Sequence, residues 1–266
     1  MADKREIVTA LLGLHGRTYA EELGIDLAGD GPSALFRMLC AAVLFAARIN
    51  ADIAVAAARA LTDQGWTTAR DMANATWAER TQTLNRAGYA RYDERTSTML
   101  SDTAGLLVER YGGDLRRLRE RAGRRPDEER RLLKQCKGIG DVGVDIFFRE
   151  AQATWEELRP FVDRRALAGA RRLGLGEDAR TLAGLVDEAE VPRLTAALVR
   201  VELGRDHERV LRVAAGGDAD PNGDTSADPA WATKAQLYER AQRLDVPGRS
   251  RMTKRELADA LRDHGD

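Results

Sequence analysis

Apolar residues recur along most of the chain at the spacing of helix faces, and the alternation typical of strands is rare. The stretch 34–47 is apolar on all sides, which predicts a buried central helix with Ser33 as its N-cap. The pattern predicts further helices over 3–22, 51–64, 67–73, 77–87, 93–111, 114–122, 127–135, 142–151, 163–173, 177–188, 191–203 and 205–215. The predicted fold class is therefore all-α.

The composition narrows the protein class. The 266 residues are 43% hydrophobic and 32% charged, which indicates a globular protein with a sizeable core. The formal net charge is −1, a weak argument against a nucleic-acid binder, although basic residues concentrate in 116–137 and 240–255. The N-terminus has no apolar signal core and no apolar run approaches 18 residues, so we expect a cytoplasmic protein without a membrane span.

The chain divides by composition into a body, a linker and a tail. We predict a large helical body over 1–215. Residues 216–228 are polar, acidic and rich in turn formers, which predicts a flexible linker. We predict that residues 229–266 form a small helical module with two amphipathic helices, 233–244 and 253–261. The apolar residues of the first helix, Leu237, Ala241 and Leu244, are expected to pack against Met252, Leu257 and Leu261.

A glycine turn between two predicted helices carries the first candidate site. Gly138-Ile139-Gly140 lies between the predicted helices 127–135 and 142–151. Glycine allows positive φ and close approach of a ligand to the backbone, and a helix N-terminus offers unpaired N–H groups to an anion. Lys134 and Lys137 add positive charge beside the turn. The pattern predicts a phosphate-binding hairpin.

A single carboxylate follows this hairpin. Asp163 comes shortly after the second predicted helix and opens the next one. Such a carboxylate is well placed to act on a sugar whose phosphate is held at the turn, where it would stabilise an oxocarbenium-like centre or activate a water. The alternative is that Asp163 only caps its helix, since aspartate is favoured at that position, and the two roles are compatible.

The two motifs together resemble a known family. Leu133-x-x-Cys136-Lys137-Gly138-Ile139-Gly140-x-x-Gly143-Val144, followed by Phe161-Val162-Asp163-Arg164-Arg165, resembles the helix–hairpin–helix and Gly/Pro-Asp signature of the endonuclease III superfamily of DNA glycosylases. The resemblance implies a two-lobed all-α fold, with a central lobe over 33–137 and a second lobe formed by 1–32 and 138–215. It also implies double-stranded DNA as the partner, base-excision repair as the role, and a monomer.

The chain departs from the family pattern at two places. Val142 occupies the position of the lysine nucleophile in bifunctional members, and valine cannot form a Schiff base with a sugar. The resemblance therefore implies a monofunctional glycosylase that hydrolyses the N-glycosidic bond of a damaged or mispaired base, with Asp163 as the catalytic residue. The chain has only two cysteines, Cys40 and Cys136, which excludes a four-cysteine iron–sulfur cluster or zinc site within it. We expect no cofactor.

Two alternatives stay open on the same residues. The first is a non-catalytic DNA-binding protein that keeps the helix–hairpin–helix. The second is an abasic-site lyase or endonuclease that uses a lysine from another position, such as Lys137.

The resemblance also implies candidate DNA contacts around the hairpin. Arg48 ends the apolar helix, where the family places a residue near the gap left by the flipped base, although an arginine there also suits a solvated helix end. Tyr89 and Tyr92 are candidates for the base pocket, with core packing as the alternative. The candidate DNA-binding residues of the body are Gly138, Ile139, Gly140, Lys134, Lys137, Val142, Gly143, Arg48, Arg164 and Arg165.

The tail resembles small SAP-like or Rho N-terminal-like helical modules, which commonly bind nucleic acid. The resemblance implies DNA contacts at Lys234, Arg249, Arg251 and Lys254. The alternative is a module that docks a protein partner. A tail that binds DNA would raise the effective concentration of the body at the same duplex.

Overall fold

The computed structural model describes residues 2–217 of the body and part of the tail, namely 237–238, 241–242, 244, 246–249, 252–253, 256–257 and 260–261. The described body consists of helices joined by turns, with no strand, so the predicted all-α class is confirmed. Its helices are α1 (Lys4–His15), α2 (Tyr19–Glu22), α3 (Pro32–Phe45), α4 (Ala51–Asp63), α5 (Ala69–Asn74), α6 (Trp77–Arg86), α7 (Asp93–Tyr111), α8 (Leu115–Arg121), α9 (Pro126–Leu133), α10 (Asp141–Ala151), α11 (Arg164–Arg172), α12 (Ala179–Ala183), α13 (Val191–Gly204) and α14 (His207–Ala214).

Local capping chemistry sets many of these boundaries. The predicted helix 3–22 is divided, because Gly16 ends α1 and a capping box between Thr18 and Glu21 begins α2. The predicted N-cap of α3 is wrong: Gly31 is the N-cap and Pro32 the first helical residue, while the Ser33 hydroxyl donates to the Thr67 carbonyl at 3.0 Å. Because proline is favoured at the first helical position, the helix begins at Pro32, earlier than predicted.

The body contains two hydrophobic cores. The first is built around α3, which is buried on almost all sides as predicted, and takes in residues from Tyr19 to Leu158. The second joins α1 to α11, α13 and α14. The predicted lobe boundaries at 32/33 and 137/138 differ from these cores, because residues from Tyr19 onwards belong to the first core and α10 packs its apolar face on α3. The chain passes from the second core to the first between α1 and α2, and returns in the segment before Asp163, not within the hairpin.

Contacts along the chain form two units, 1–217 and 218–266. In the tail, Leu237, Ala241, Val246, Leu257 and Leu261 form a small buried cluster. Leu244 is 46% exposed, so its predicted core position is wrong, and Val246 fills that role. Lys234, Arg251 and Lys254 lie outside the described residues. The assignment of the tail to a nucleic-acid-binding type of module stays a prediction.

Helices α11 and α13 approach so closely that only glycine fits between them. A Cβ at Gly169 would overlap the carbonyl oxygen of Leu198. We expect Gly169→Ala to lower the free energy of unfolding by about 1–3 kcal/mol, since the second core must open to admit a methyl group. Gly105→Ala is the matched control, because Gly105 lies in α7 with no atom within 4 Å of its Cβ position. That change is expected to be neutral or to stabilise by up to about 1 kcal/mol.

Urea unfolding of both variants measures the difference. A Gly169→Ala protein as stable as the parent would contradict the close approach of α11 and α13.

None of the described helices is both long and apolar enough to cross a membrane.

Candidate nucleic-acid interface

The predicted helix–hairpin–helix is present, and its turn is fixed from the inside. Between α9 and α10, Gly138 adopts φ +85°, and the Ile139 N–H donates to the Cys136 carbonyl at 3.1 Å. A Cβ at Gly138 would lie 3.0 Å from Met99 Sδ and 3.2 Å from Val43 Cγ1. Ile139 is buried in the first core. The turn therefore needs glycine at position 138 both for its backbone angle and for packing.

The outer side of the turn is open. Gly140 is the exposed N-cap of α10, with φ −97° and no atom within 4 Å of a Cβ position. No side chain in the described part of the chain caps this helix, and its first ladder bond runs from the Val144 N–H to the Gly140 carbonyl at 3.0 Å. The N–H groups of Asp141, Val142 and Gly143 precede that bond. This helix end offers an anion backbone donors and the positive end of the dipole.

Ion pairs partly neutralise the basic residues of the hairpin. Lys134 Nζ lies 2.8 Å from Asp141 Oδ1, and this hydrogen bond with the ammonium charge lowers the pKa of the Asp141 carboxyl. Arg130 is paired with Asp145 at 2.6 Å. Asp141 therefore offsets the positive charge that Lys134 adds beside the turn, and the DNA contact of Lys134 stays a prediction. Lys137 is exposed and has no carboxylate within 4 Å among the described residues, so it is the cation of the turn that is available to a ligand.

Asp163 caps α11 and is buried. Its Oδ1 accepts from the N–H groups of Arg165 at 2.8 Å and Ala166 at 3.0 Å. The residue is only 7% exposed. The other oxygen, Oδ2, is buried and accepts no hydrogen bond from any residue that the structure describes. The carboxylate thus already uses one oxygen to stabilise the fold.

Arg149, which sequence analysis missed, is the partner of Oδ2. The Arg149 side chain is 4% exposed and places Nη1 3.5 Å from Asp163 Oδ2. Its Nε is buried without a hydrogen-bond acceptor in the described chain. Because Arg149 belongs to α10, this ion pair links the second helix of the hairpin to the first turn of α11.

The segment before Asp163 is held by one buried amide. Gln152 Nε2 donates to the Phe161 carbonyl at 3.0 Å, and its Oε1 accepts from the Phe161 N–H at 2.9 Å. The Thr195 hydroxyl of α13 lies 3.4 Å from the same carbonyl. Two backbone hydrogen bonds from a fully buried side chain fix the path of the chain into Asp163.

Three predicted basic contacts lie on the surface. Arg164 and Arg165 are exposed in the first turn of α11, next to Asp163. Arg48 is exposed in the connection after α3, which ends at Phe45. Since Val43 of α3 contacts the hairpin turn at Gly138, this connection begins close to the turn. The positions of all three suit contacts to a phosphate backbone.

The predicted base-pocket role of Tyr89 is wrong. Its ring is fully buried and its hydroxyl donates to the Leu44 carbonyl at 3.0 Å. Burial raises the pKa of this phenol. Tyr92 is half-buried at the start of α7, with the Arg91 guanidinium 5.3 Å from its ring centroid. Tyr89 is a core residue, whereas Tyr92 retains a partly accessible face.

The cysteines and acidic residues give no metal site in the described chain. Cys40 and Cys136 are free and buried, and burial raises the pKa of the Cys136 thiol to about 12. No group of three or more His, Cys, Asp or Glu side chains among the described residues has a geometry that could hold a metal ion. The absence of a cofactor stays a prediction.

Comparison with solved structures gives a distant likeness. No protein-family model matches the chain, and no curated protein matches it. A solved structure described as a trapped endonuclease III–DNA covalent intermediate, an estranged-adenine complex, is 17% identical with a TM-score of 0.44, over 76% of this chain and 86% of that chain.

Proposed function

We propose that the protein binds double-stranded DNA through the α9–α10 hairpin and hydrolyses the N-glycosidic bond of a damaged or mispaired base. The observation that carries the proposal is the exposed, uncapped N-terminus of α10 behind Gly140, linked through Arg149 of the same helix to the carboxylate of Asp163. A phosphate held at the N-terminus of α10 would bring a neighbouring sugar towards Asp163. Base excision needs both a backbone grip and a group that stabilises positive charge on the sugar.

The chemistry assigned to Asp163 is electrostatic. The N-glycosidic bond breaks with its electron pair going to the base, and the carboxylate stabilises the positive charge that develops on the sugar. A water molecule then bonds to the anomeric carbon through its oxygen, and the proton that it loses ends on the released base. Val142 is 56% exposed at the position where a nucleophilic amine would be required for a lyase. The proposed enzyme is therefore monofunctional. The sugar must displace Arg149 to reach Oδ2, because that atom is buried against the guanidinium.

Gly140→Ala tests the DNA grip without disturbing the fold. Its Cβ would enter open space at an ordinary φ, so we expect the thermal midpoint to stay within about 2 °C of the parent. The same methyl group would stand where a phosphate oxygen approaches the α10 amides, so affinity for a duplex should fall about tenfold. Fluorescence anisotropy with a labelled duplex measures the loss, and Gly105→Ala is the control. Unchanged affinity would remove the hairpin from the proposed interface.

Asp163→Asn tests the chemistry. Asparagine keeps an oxygen that can accept from the α11 amides but loses the charge, so base release from a panel of lesion duplexes should fall about a hundredfold or more while duplex binding persists. Circular dichroism checks that the variant is folded. Borohydride trapping on abasic DNA should give no covalent adduct with the parent protein. The hydrolase is rejected if no lesion in the panel loses its base to the parent protein.

A non-catalytic DNA-binding protein is the second candidate, and one observation favours it. Asp163 Oδ2 is inaccessible and its charge is compensated by Arg149 at 3.5 Å, which is the arrangement of a structural ion pair. Under this alternative, Gly140→Ala weakens DNA binding, whereas neither the parent protein nor Asp163→Asn releases a base from any lesion duplex. The two experiments together separate the candidates.

A further inference from the structure

A second charged site lies at the other end of α9 from the hairpin turn. A cavity of about 380 Å³ is bounded by the turn before α8, by α8 itself and by the turn before α9. All of its lining residues are charged. They comprise four arginines, Arg116, Arg117, Arg119 and Arg124, and three acidic residues, Asp30, Asp114 and Glu120. Its volume falls in the range of small-molecule sites, but its walls suit an ion, not an apolar ligand.

Two of the four guanidinium groups are held in place by carboxylates. Arg116 grips Asp114 with Nε at 3.0 Å and Nη2 at 2.7 Å, and Asp114 in turn caps α8. Arg119 forms a fork on Glu157 with two hydrogen bonds of 2.6 Å, and its Nη1 lies 3.5 Å from Asp30 Oδ2. The carboxylates that line the cavity are thus largely committed, and the guanidinium planes are pre-organised.

The other two guanidinium groups are available. Arg117 and Arg124 are exposed, and neither has a carboxylate oxygen within 4 Å in the described part of the chain. Arg117 lies across Gly112, where its Nη1 would contact a Cβ. Burial disfavours the charge on Asp114, but the hydrogen bonds and charge of Arg116 and the weaker effect of the Arg117 charge outweigh it and lower the pKa of Asp114. Two fixed and two free arginines therefore face one open volume, and the N–H donors of the two free guanidinium groups are not engaged by carboxylates of the described residues.

We propose that this cavity binds a phosphate or diphosphate group. Arginine presents a planar fork of N–H donors that matches phosphate oxygens, and several such forks around one volume suit a multiply charged anion better than a carboxylate. The surrounding acidic groups favour a compact ligand whose charge is concentrated between the arginines. The site is separate from Gly140 and Asp163, so it does not depend on the proposed glycosylase activity.

The position of the cavity suggests where the phosphate comes from. α9 has eight residues, so the cavity and the hairpin turn are separated by about 12 Å of helix. A DNA strand gripped at the turn would carry further phosphates at that range. A free phosphate compound is the other source of the same chemistry. The test distinguishes the two.

Calorimetric titration with inorganic pyrophosphate at low salt tests the site itself. We expect saturable binding to the parent protein and binding about tenfold weaker in the double variant Arg117→Ala/Arg124→Ala. The matched control is Arg70→Ala/Arg86→Ala, which removes two exposed arginines from α5 and α6 and should leave affinity within about twofold of the parent. Gly140→Ala should also keep pyrophosphate binding, so a failed hairpin proposal leaves this one standing.

Anisotropy with a labelled duplex identifies the source. If the DNA backbone supplies the phosphate, Arg117→Ala/Arg124→Ala binds the duplex more weakly than the control variant does, and pyrophosphate competes with the duplex for the parent protein. If a free compound supplies it, pyrophosphate binds to the parent while the double variant and the control variant have the same duplex affinity. The proposal is overturned if the parent does not bind pyrophosphate, or if the double variant binds pyrophosphate as the parent does.

Discussion

Methionine in place of Arg149 is expected to lower the free energy of unfolding by about 3–5 kcal/mol. Arg149 and Asp163 are both more than nine-tenths buried, and their charges face each other at 3.5 Å. Removal of the guanidinium leaves the Asp163 carboxylate in a site from which water is excluded. The cost of an uncompensated buried charge then falls on the folded state alone.

A double-mutant cycle separates this ion pair from simple loss of packing. Asp163→Asn leaves the opposite charge unpaired and is also expected to destabilise, although its side-chain oxygen can still cap α11. In Arg149→Met/Asp163→Asn neither charge remains, so the double variant should be more stable than the sum of the single effects predicts, by about 1 kcal/mol or more. Urea unfolding of the four proteins provides the cycle. Additive effects would show that Arg149 does not interact with Asp163.

The same pair sets a condition on the proposed chemistry. A guanidinium 3.5 Å from Oδ2 opposes the field that Asp163 would exert on a developing cationic sugar. Asp163 can therefore act only after a ligand has separated it from Arg149. Since Arg149 lies on α10, the proposed phosphate grip and the ion-pair partner of Asp163 belong to the same helix, whereas Asp163 itself caps α11.

Features governed by local rules were predictable from the sequence. The αL turn at Gly138 and the cap at Asp163 both follow from residue type and neighbours within a few positions, and both are present. The span 93–111 was also predictable, because Gly112 ends α7 in the left-handed conformation. Each of these features needs information from only one turn of chain.

Features that depend on packing between elements were not predictable. Arg149 and Asp163 lie 14 positions apart on different helices, so no spacing rule joins them. Tyr89 is a core residue because its hydroxyl reaches the carbonyl at Leu44, 45 positions earlier. Amphipathic spacing gives the face of a helix that is buried, but it does not identify the residues of another helix that meet that face.

We expect Glu129 to make the folded protein less stable as pH rises. This residue of α9 is fully buried, and neither of its carboxylate oxygens has a hydrogen-bond donor in the described chain. Burial, followed by the neighbouring Glu157 carboxylate, raises the pKa of Glu129 to about 8, although Arg119 opposes the shift. Burial also disfavours the charge on Glu157, but hydrogen bonds from Arg119 outweigh it and keep the pKa of Glu157 below its usual range. Near neutral pH, Glu129 therefore carries the proton.

The direction of the pH dependence follows from proton counts. Between roughly pH 4.3, where an unfolded glutamate titrates, and about pH 8, the folded state holds a proton that the unfolded state has released. The free energy of unfolding therefore falls as pH rises through this range, by at most about 1.4 kcal/mol per pH unit, and levels off above it. Because a side-chain amide does not titrate, Glu129→Gln should remove this slope and become more stable relative to the parent with increasing pH.

Urea unfolding of the parent and of Glu129→Gln at several values between pH 5 and pH 9 measures the effect. The difference between the two free energies of unfolding cancels the contributions of titrating groups that both proteins share. Glu128→Gln is the matched control. Glu128 is the preceding residue of α9, and its pair with Arg131 lowers the pKa of its carboxyl, so any slope that it contributes lies below pH 5. Parallel curves for the parent and Glu129→Gln would show that Glu129 is ionised in the folded protein. Divergence only in the Glu129 variant would place the proton on the first helix of the hairpin, where its loss leaves a buried negative charge beside the Glu157 carboxylate.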